Sequence, residues 1–321
     1  MKSLIKLLLI FGFLEIALSK SVESEEFALI GDVEIDEITG DVDEKTLIVE
    51  PEPEPLKEDD GFVNFEILPD EIFDDILANV TRFRSTRIVY GSIASTNQFP
   101  YYAYLIIYRP GVSIFCGGTL IATQWLTTAA HCVRDYIGAQ AHFGSINKNN
   151  MPVKRTASGH YVHENWQPST LANDIALIKL VSAVPISSAV SIVQLPPRSD
   201  VSKSYSGSVL LSCGFGKTVT SYPDYLNYAY INGISDYDCS LVHWVFKSTM
   251  LCAKGLNTGS STCFGDSGGP LIYQSNGISK LVGINSFFQT EHCVNDVQGF
   301  TRVDKYLDWI SAKTGVTISD E

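Results

Sequence analysis

Gly265-Asp266-Ser267-Gly268-Gly269-Pro270 is the stretch of the 321-residue chain on which the reading turns. So much glycine around one hydroxyl makes a tight turn whose backbone N–H groups can point at a ligand, and such a turn has few purely structural uses. A serine hydroxyl is a weak nucleophile at neutral pH and needs an adjacent base to take its proton. Upstream, Thr128-Ala129-Ala130-His131-Cys132 sets a histidine among small residues, beside a cysteine able to pin the turn. Imidazole suits the base because it titrates near neutrality. Between the two, Asn173-Asp174-Ile175-Ala176-Leu177 puts an acid at the mouth of an apolar strand. A buried carboxylate there fixes the imidazole tautomer and stabilises the imidazolium. A lone histidine or aspartate is more often structural, but the three together supply nucleophile, base and orienting acid.

The surroundings read as short strands and turns. Tyr101 to Tyr108, Phe115 to Ile121, Ile175 to Leu180, Val209 to Cys213, Tyr228 to Ile231, Leu281 to Ser286 and Phe300 to Val303 are rich in β-branched and aromatic residues. Turn clusters such as Asn147-Lys148-Asn149-Asn150 separate them. Only the C-terminus has helical spacing, with Val303, Tyr306, Leu307 and Ile310 on one face. Many short strands closed by one helix predict an all-β barrel or sandwich.

His131, Asp174 and Ser267, in that order along the chain, resemble the chymotrypsin family of serine proteases. The resemblance spans Ile88 to Glu321. It implies two packed six-stranded antiparallel β-barrels with a C-terminal helix and the active site in the cleft between them. His131 would be the general base, Asp174 its orienting carboxylate and Ser267 the nucleophile, with the N–H groups of Gly265 and Ser267 as the oxyanion hole. No cofactor is implied. The resemblance also pairs Cys116 with Cys132, Cys239 with Cys252, and Cys263 with Cys293. The seventh cysteine, Cys213, is left over, because Tyr273 stands where some relatives carry its partner; it is a buried free thiol or one half of an intermolecular bridge.

The same family places the base of the specificity pocket six residues before the nucleophile, at Ser261. A neutral hydroxyl disfavours Arg and Lys and implies a chymotrypsin-like or elastase-like preference. Ser286-Phe287-Phe288 stands where many relatives have Ser-Trp-Gly, so Phe288 would narrow the pocket unless it swings out. Gln298 or Gly299 occupies a further specificity position. A neutral base in a secreted protein is similar to the arthropod digestive members called brachyurins.

Charge is very unevenly distributed. Of 36 acidic and 23 basic side chains (net −13), 21 acidic and 6 basic fall between Lys20 and Arg87, while Ile88 to Glu321 carries 14 against 15. Met1-Lys2, Lys6, the apolar run Leu7 to Leu14 and Ala17-Leu18-Ser19 form a secretory signal peptide over residues 1–19. Residues 20–87 then read as a largely disordered acidic pro-region, with Pro51-Glu52-Pro53-Glu54-Pro55 and few aromatics. Ile72, Phe73, Ile76, Leu77 and Val80 predict a short helix there, and Asn79-Val80-Thr81 is a glycosylation sequon at Asn79. Arg87 precedes Ile88-Val89-Tyr90-Gly91. In the family, cleavage at such a junction frees an amino group that pairs with the aspartate before the nucleophile, here Asp266. Arg87 before the cut implies a trypsin-like activating protease.

The remaining expectations follow from these. Partners are protein or peptide substrates, the activator and protein inhibitors; the chain is expected to be a secreted, extracellular monomer. The near-neutral body argues against a nucleic-acid partner, and no apolar run beyond the N-terminus is long enough for a membrane. His160 and His163 lack a third ligand, so no metal is expected, and Tyr136 to His163 holds no Asp or Glu for calcium. The rival readings are a catalytically silent homologue acting as a binding or regulatory protein, a protease of a cascade, and an acidic segment retained as a binding tail.

Overall fold

The computed structural model describes residues 91–218, 221–243, 246–256, 260–290, 293–294 and 296–321. The leader, the acidic segment with its expected helix, Asn79, Arg87 and Ile88 lie outside these residues.

Two antiparallel barrels make up the described chain. The first closes six strands in the order β2-β3-β4-β7-β6-β5: β2 (Tyr102–Arg109), β3 (Val112–Ala122), β4 (Trp125–Thr128), β5 (Gly138–Phe143), β6 (Val153–Val162) and β7 (Ala176–Leu180). The second is built from β8 (Val209–Gly214), β9 (Asn227–Gly233), β10 (Met250–Gly255), β11 (Pro270–Ser275), β12 (Ile278–Phe288) and β13 (Val297–Arg302), closed by pairing of β8 with both β9 and β11. The short β1 (Ser92–Ile93) adds to the edge of β9. Closure removes free edges from each sheet. The expected two-barrel, all-β architecture is therefore the one observed.

Alternation explains the strands: inward residues such as Leu105 and Ile107 of β2 are fully buried while their neighbours are only partly so. Two expectations need correction. Six strands, β1, β4, β5, β6, β10 and β11, form where the sequence predicts none, and a helix, α1 (Asp236–Val242), precedes the C-terminal one. Ser235 caps α1, its hydroxyl accepting from the N–H of Asp238 at 3.0 Å. The C-terminal segment begins as a 3-10 turn (Val303–Tyr306) and continues as α2 (Leu307–Thr314), ending at Gly315 with φ +75°.

The barrels are tied together by the C-terminal helix and at their centre. Leu307 and Ile310 of α2 join the core that contains the first barrel. The Trp309 indole donates to Glu164 at 2.8 Å, and Lys313 pairs with the same carboxylate at 2.7 Å. At the centre the chains meet backbone to backbone. Gly117 N–H donates to the Ser267 carbonyl at 2.8 Å, and a Cβ on Gly117 would lie 2.7 Å from the Gly269 Cα. Only glycine permits that approach.

Candidate active site

His131 sits in a 3-10 turn, Ala130–Cys132, at the end of β4, and the Cys116–Cys132 disulfide ties the turn to β3. Asp174 precedes β7 after a sharp bend in which Leu171 and Asn173 take φ of +55° and +57°. The Tyr306 hydroxyl holds that bend by donating to Asn173 Oδ1 at 2.9 Å. The Asp174 carboxylate is fully buried yet well supplied with donors. Its Oδ1 accepts from His131 N–H at 2.9 Å, and its Oδ2 lies 2.7 Å from His131 Nδ1 and accepts from the Ser286 hydroxyl at 2.6 Å. An ionised carboxylate only accepts, so Nδ1 carries the proton and Nε2 is left as an acceptor. Thr301 Oγ1, from the second barrel, donates to the Asp174 carbonyl at 2.8 Å.

Ser267 comes from the other barrel, in the turn before β11. Its carbonyl lies 3.7 Å from Cys132 Sγ, which brings the residue beside the histidine turn. Its hydroxyl forms no hydrogen bond to the ring, a looseness common in sites without substrate. Gly265 (φ +97°) and Gly268 (φ +78°) take left-handed conformations, and a Cβ at either would strike Phe115 Cε2 or Thr128 Oγ1. No backbone carbonyl among the described residues takes the N–H of Gly265 or of Ser267. Two such free donors beside one nucleophile are what an oxyanion needs, and losing one typically costs ~3 kcal/mol of transition-state stabilisation.

Asp266 points the opposite way, into the second barrel. It is 1% exposed, with Oδ1 on Gly216 N–H at 2.7 Å and Oδ2 on Cys263 N–H at 2.9 Å. No cation pairs with it among the described residues. Burial pushes its carboxyl up to about 7, against the pull of those two N–H groups. The chain makes room for it with glycine, since a Cβ on Gly214 would sit 2.0 Å from Oδ1. Cys213, buried and free, lies close by; burial and then Asp266 push its thiol up.

At the expected pocket, Ser261 is fully buried and its hydroxyl donates to the carbonyls of Cys293 and Thr262. Gln298, also fully buried, accepts from Thr262 N–H at 2.8 Å and donates to the Asp296 carbonyl at 3.4 Å. Gly299 instead faces Phe287, so of the two open positions it is Gln298 whose side chain reaches the Ser261 segment. Phe288 pairs with Gln298 across β12–β13, and its ring meets that of Phe264 nearly edge-on, centroids 4.6 Å apart. The Cys263–Cys293 and Cys239–Cys252 disulfides complete the set. Three contacts carried no sequence signal: Phe264 against Phe288, Thr301 on Asp174, and Ser286 as donor to Asp174.

His160 packs against Tyr136 with the rings tilted, and His163 packs against Tyr306 and Trp309. Burial pushes both rings' pKa down. Among the described residues no helix is long and apolar enough to cross a membrane.

Comparison with known proteins places the chain. Residues 88–310 match the family model described as Trypsin. Serine protease 1 of Drosophila melanogaster is 35% identical over 238 residues, covering 72% of this chain and 87% of that protein. Brachyurin of Leptuca pugilator is 34% identical over 237 residues, covering 72% and 100%. Among solved structures, the chain described as HL collagenase superposes with a TM-score of 0.67 at 30% identity, covering 72% of this chain and all of that one.

Proposed function

The chain belongs to the trypsin family of serine endopeptidases, and on that premise we propose that it is a secreted zymogen, opened by cleavage after Arg87, with a non-basic substrate preference. Residues 1–19 are its leader, 20–87 its propeptide, glycosylated at Asn79, and 88–321 its protease domain, acting as a monomer. In hydrolysis His131 Nε2 takes the proton from Ser267 Oγ as the hydroxyl attacks the scissile carbonyl. The N–H groups of Gly265 and Ser267 hold the oxyanion, and the imidazolium then gives its proton to the leaving amine. Water repeats the cycle on the acyl-enzyme. The observation that carries this reading is the 2.7 Å contact of His131 Nδ1 with a fully buried Asp174 carboxylate.

Activation turns on Asp266. A buried carboxylate near pH 7 without a cation is an incomplete pair. The amino group freed at Ile88 completes it and orders the neighbouring oxyanion turn. The preference follows from a floor of neutral groups, Ser261 and Gln298, and from the Phe288 ring leaning on Phe264, which favours small and medium apolar side chains over large ones. Protein inhibitors would engage the same cleft.

The test is a panel of peptide substrates that differ only before the scissile bond, carrying Phe, Leu, Ala or Arg. It is run before and after cutting at Arg87, with Ser267→Ala as the blank. The expected result is activity only after the cut, best on Leu and Ala and weak on Arg. A preference for Arg would overturn the assignment of the floor. A silent, correctly cut chain would leave the binding-homologue reading.

A further inference from the structure

Arg109 closes β2, at the foot of the β2–β3 hairpin. Its guanidinium turns away from solvent and across to the histidine turn. Nη2 donates to the carbonyl of His131 at 2.7 Å and to that of Cys132 at 3.0 Å, while Nε is buried without a partner. No carboxylate lies within ion-pair distance of it among the described residues. A half-buried, always-charged side chain that spends its donors on two consecutive carbonyls has a specific task.

The task is visible in the turn itself. Ala130–Cys132 is a single 3-10 turn whose only internal bonds use the carbonyls of Ala129 and Ala130. The next two carbonyls, of His131 and Cys132, are the open end that a helix terminus leaves unsatisfied. Arg109 satisfies both, and with them fixes the peptide planes on either side of the Cys132 Cα, the first of which starts at the histidine. The ring is then held from three directions: its N–H and Nδ1 by Asp174, its own carbonyl by Arg109, and the following residue by the Cys116–Cys132 bridge. The same hairpin presses Phe115 onto Gly265, so one element braces the base and the oxyanion turn together.

We propose that Arg109 is a positioning residue for the general base: by clamping the His131 and Cys132 carbonyls it sets the direction in which Nε2 meets the Ser267 hydroxyl. It touches no substrate, so its loss is felt in turnover rather than in binding. Misplacing a reacting group by an ångström costs on the order of 100-fold. The inference rests on His131 being the base.

The experiment uses the full chain, cut at Arg87, with active sites counted by a serine-directed fluorophosphonate. Arg109→Met is expected to lower kcat per counted site about tenfold to a hundredfold with KM unchanged. Arg109→Lys, which reaches only one carbonyl, is expected to recover part of that loss. A second readout needs no turnover: the proton NMR signal of His131 Nδ1–H, held by Asp174, should be sharp in the wild type and broadened in Arg109→Met. Unchanged kcat per site with a lowered Tm would reduce Arg109 to packing and overturn the proposal. So would an unchanged Nδ1–H signal, even in a chain found to have no hydrolytic activity. A wild type with that signal but no turnover would count against the protease reading alone, and the signal's response to Arg109→Met would still decide this one.

Discussion

The two barrels each bury an aspartate at the cleft, and they treat it differently. Asp174, fully buried, receives His131 twice and Ser286 once. Asp266, 1% exposed, receives two backbone N–H groups and no cation, and its carboxyl rises to about 7. The first arrangement is finished as folded. The second has no counter-ion among the described residues, and burying an ion in that way is expensive. The half that holds His131 and Asp174 has its buried charge answered within the fold, and the half that holds Ser267 has not, which is the asymmetry the proposed activation would use.

That contrast breaks most severely at the nucleophile. Ser267→Ala should cut kcat by roughly a million-fold while leaving Tm unchanged; turnover near wild type would sink the assignment of both halves. Next is Asp174→Asn, expected to cost about 10,000-fold in kcat because the amide can hold the wrong imidazole tautomer. A loss under tenfold in steady-state assays would mean the finished half is not needed.

Asp266 sharpens the comparison through pH. Its folded pKa lies above the ordinary carboxylate value, so the contribution of this group to stability is fully present below about pH 4 and is lost as pH rises through about 7. The full swing is about 4 kcal/mol by linkage. Melting temperatures of the uncut chain should therefore fall relative to those of Asp266→Asn across this window, and a difference independent of pH would remove the effect. Asp266→Asn should also leave the cut chain inactive; an active, cut variant would remove the switch. The smallest effect is structural. Thr301→Val strands the buried Asp174 carbonyl, and should cost about 1–3 kcal/mol, read as a drop of several degrees in Tm. No change in the melt would show that the bond across the barrels adds nothing.

The parts of the site that could be read from the sequence are the ones whose chemistry is local. Ser267 with its glycines, His131 beside Cys132 and Asp174 before an apolar strand each announce themselves within six residues. Strands β6 and β5 do not. The first alternates outward Lys, Thr and Ser with half-buried residues, and the second reads Gly-Ala-Gln-Ala-His-Phe, weak in β-formers, so barrel closure rather than propensity makes them strands. Pro270 heads β11, where a missing N–H obscures the strand. The helix α1 spans seven residues, too short for a periodicity to show. Arg109, Phe264 and Thr301 act through partners 22 or more residues away, and no spacing rule reaches that far.

The clasp made by the last helix bears on the order in which the protein is made. The first barrel leaves the ribosome well before α2, yet the bend that presents Asp174 is held by Tyr306, and Trp309 and Lys313 secure Glu164 nearby. The orienting acid is thus set by residues synthesised more than 130 positions later. A chain truncated before Tyr306 would keep every strand of both barrels and all three site residues, but without the brace on that acid. The bend that presents Asp174 therefore gains its brace only once the last turns of the chain have been made.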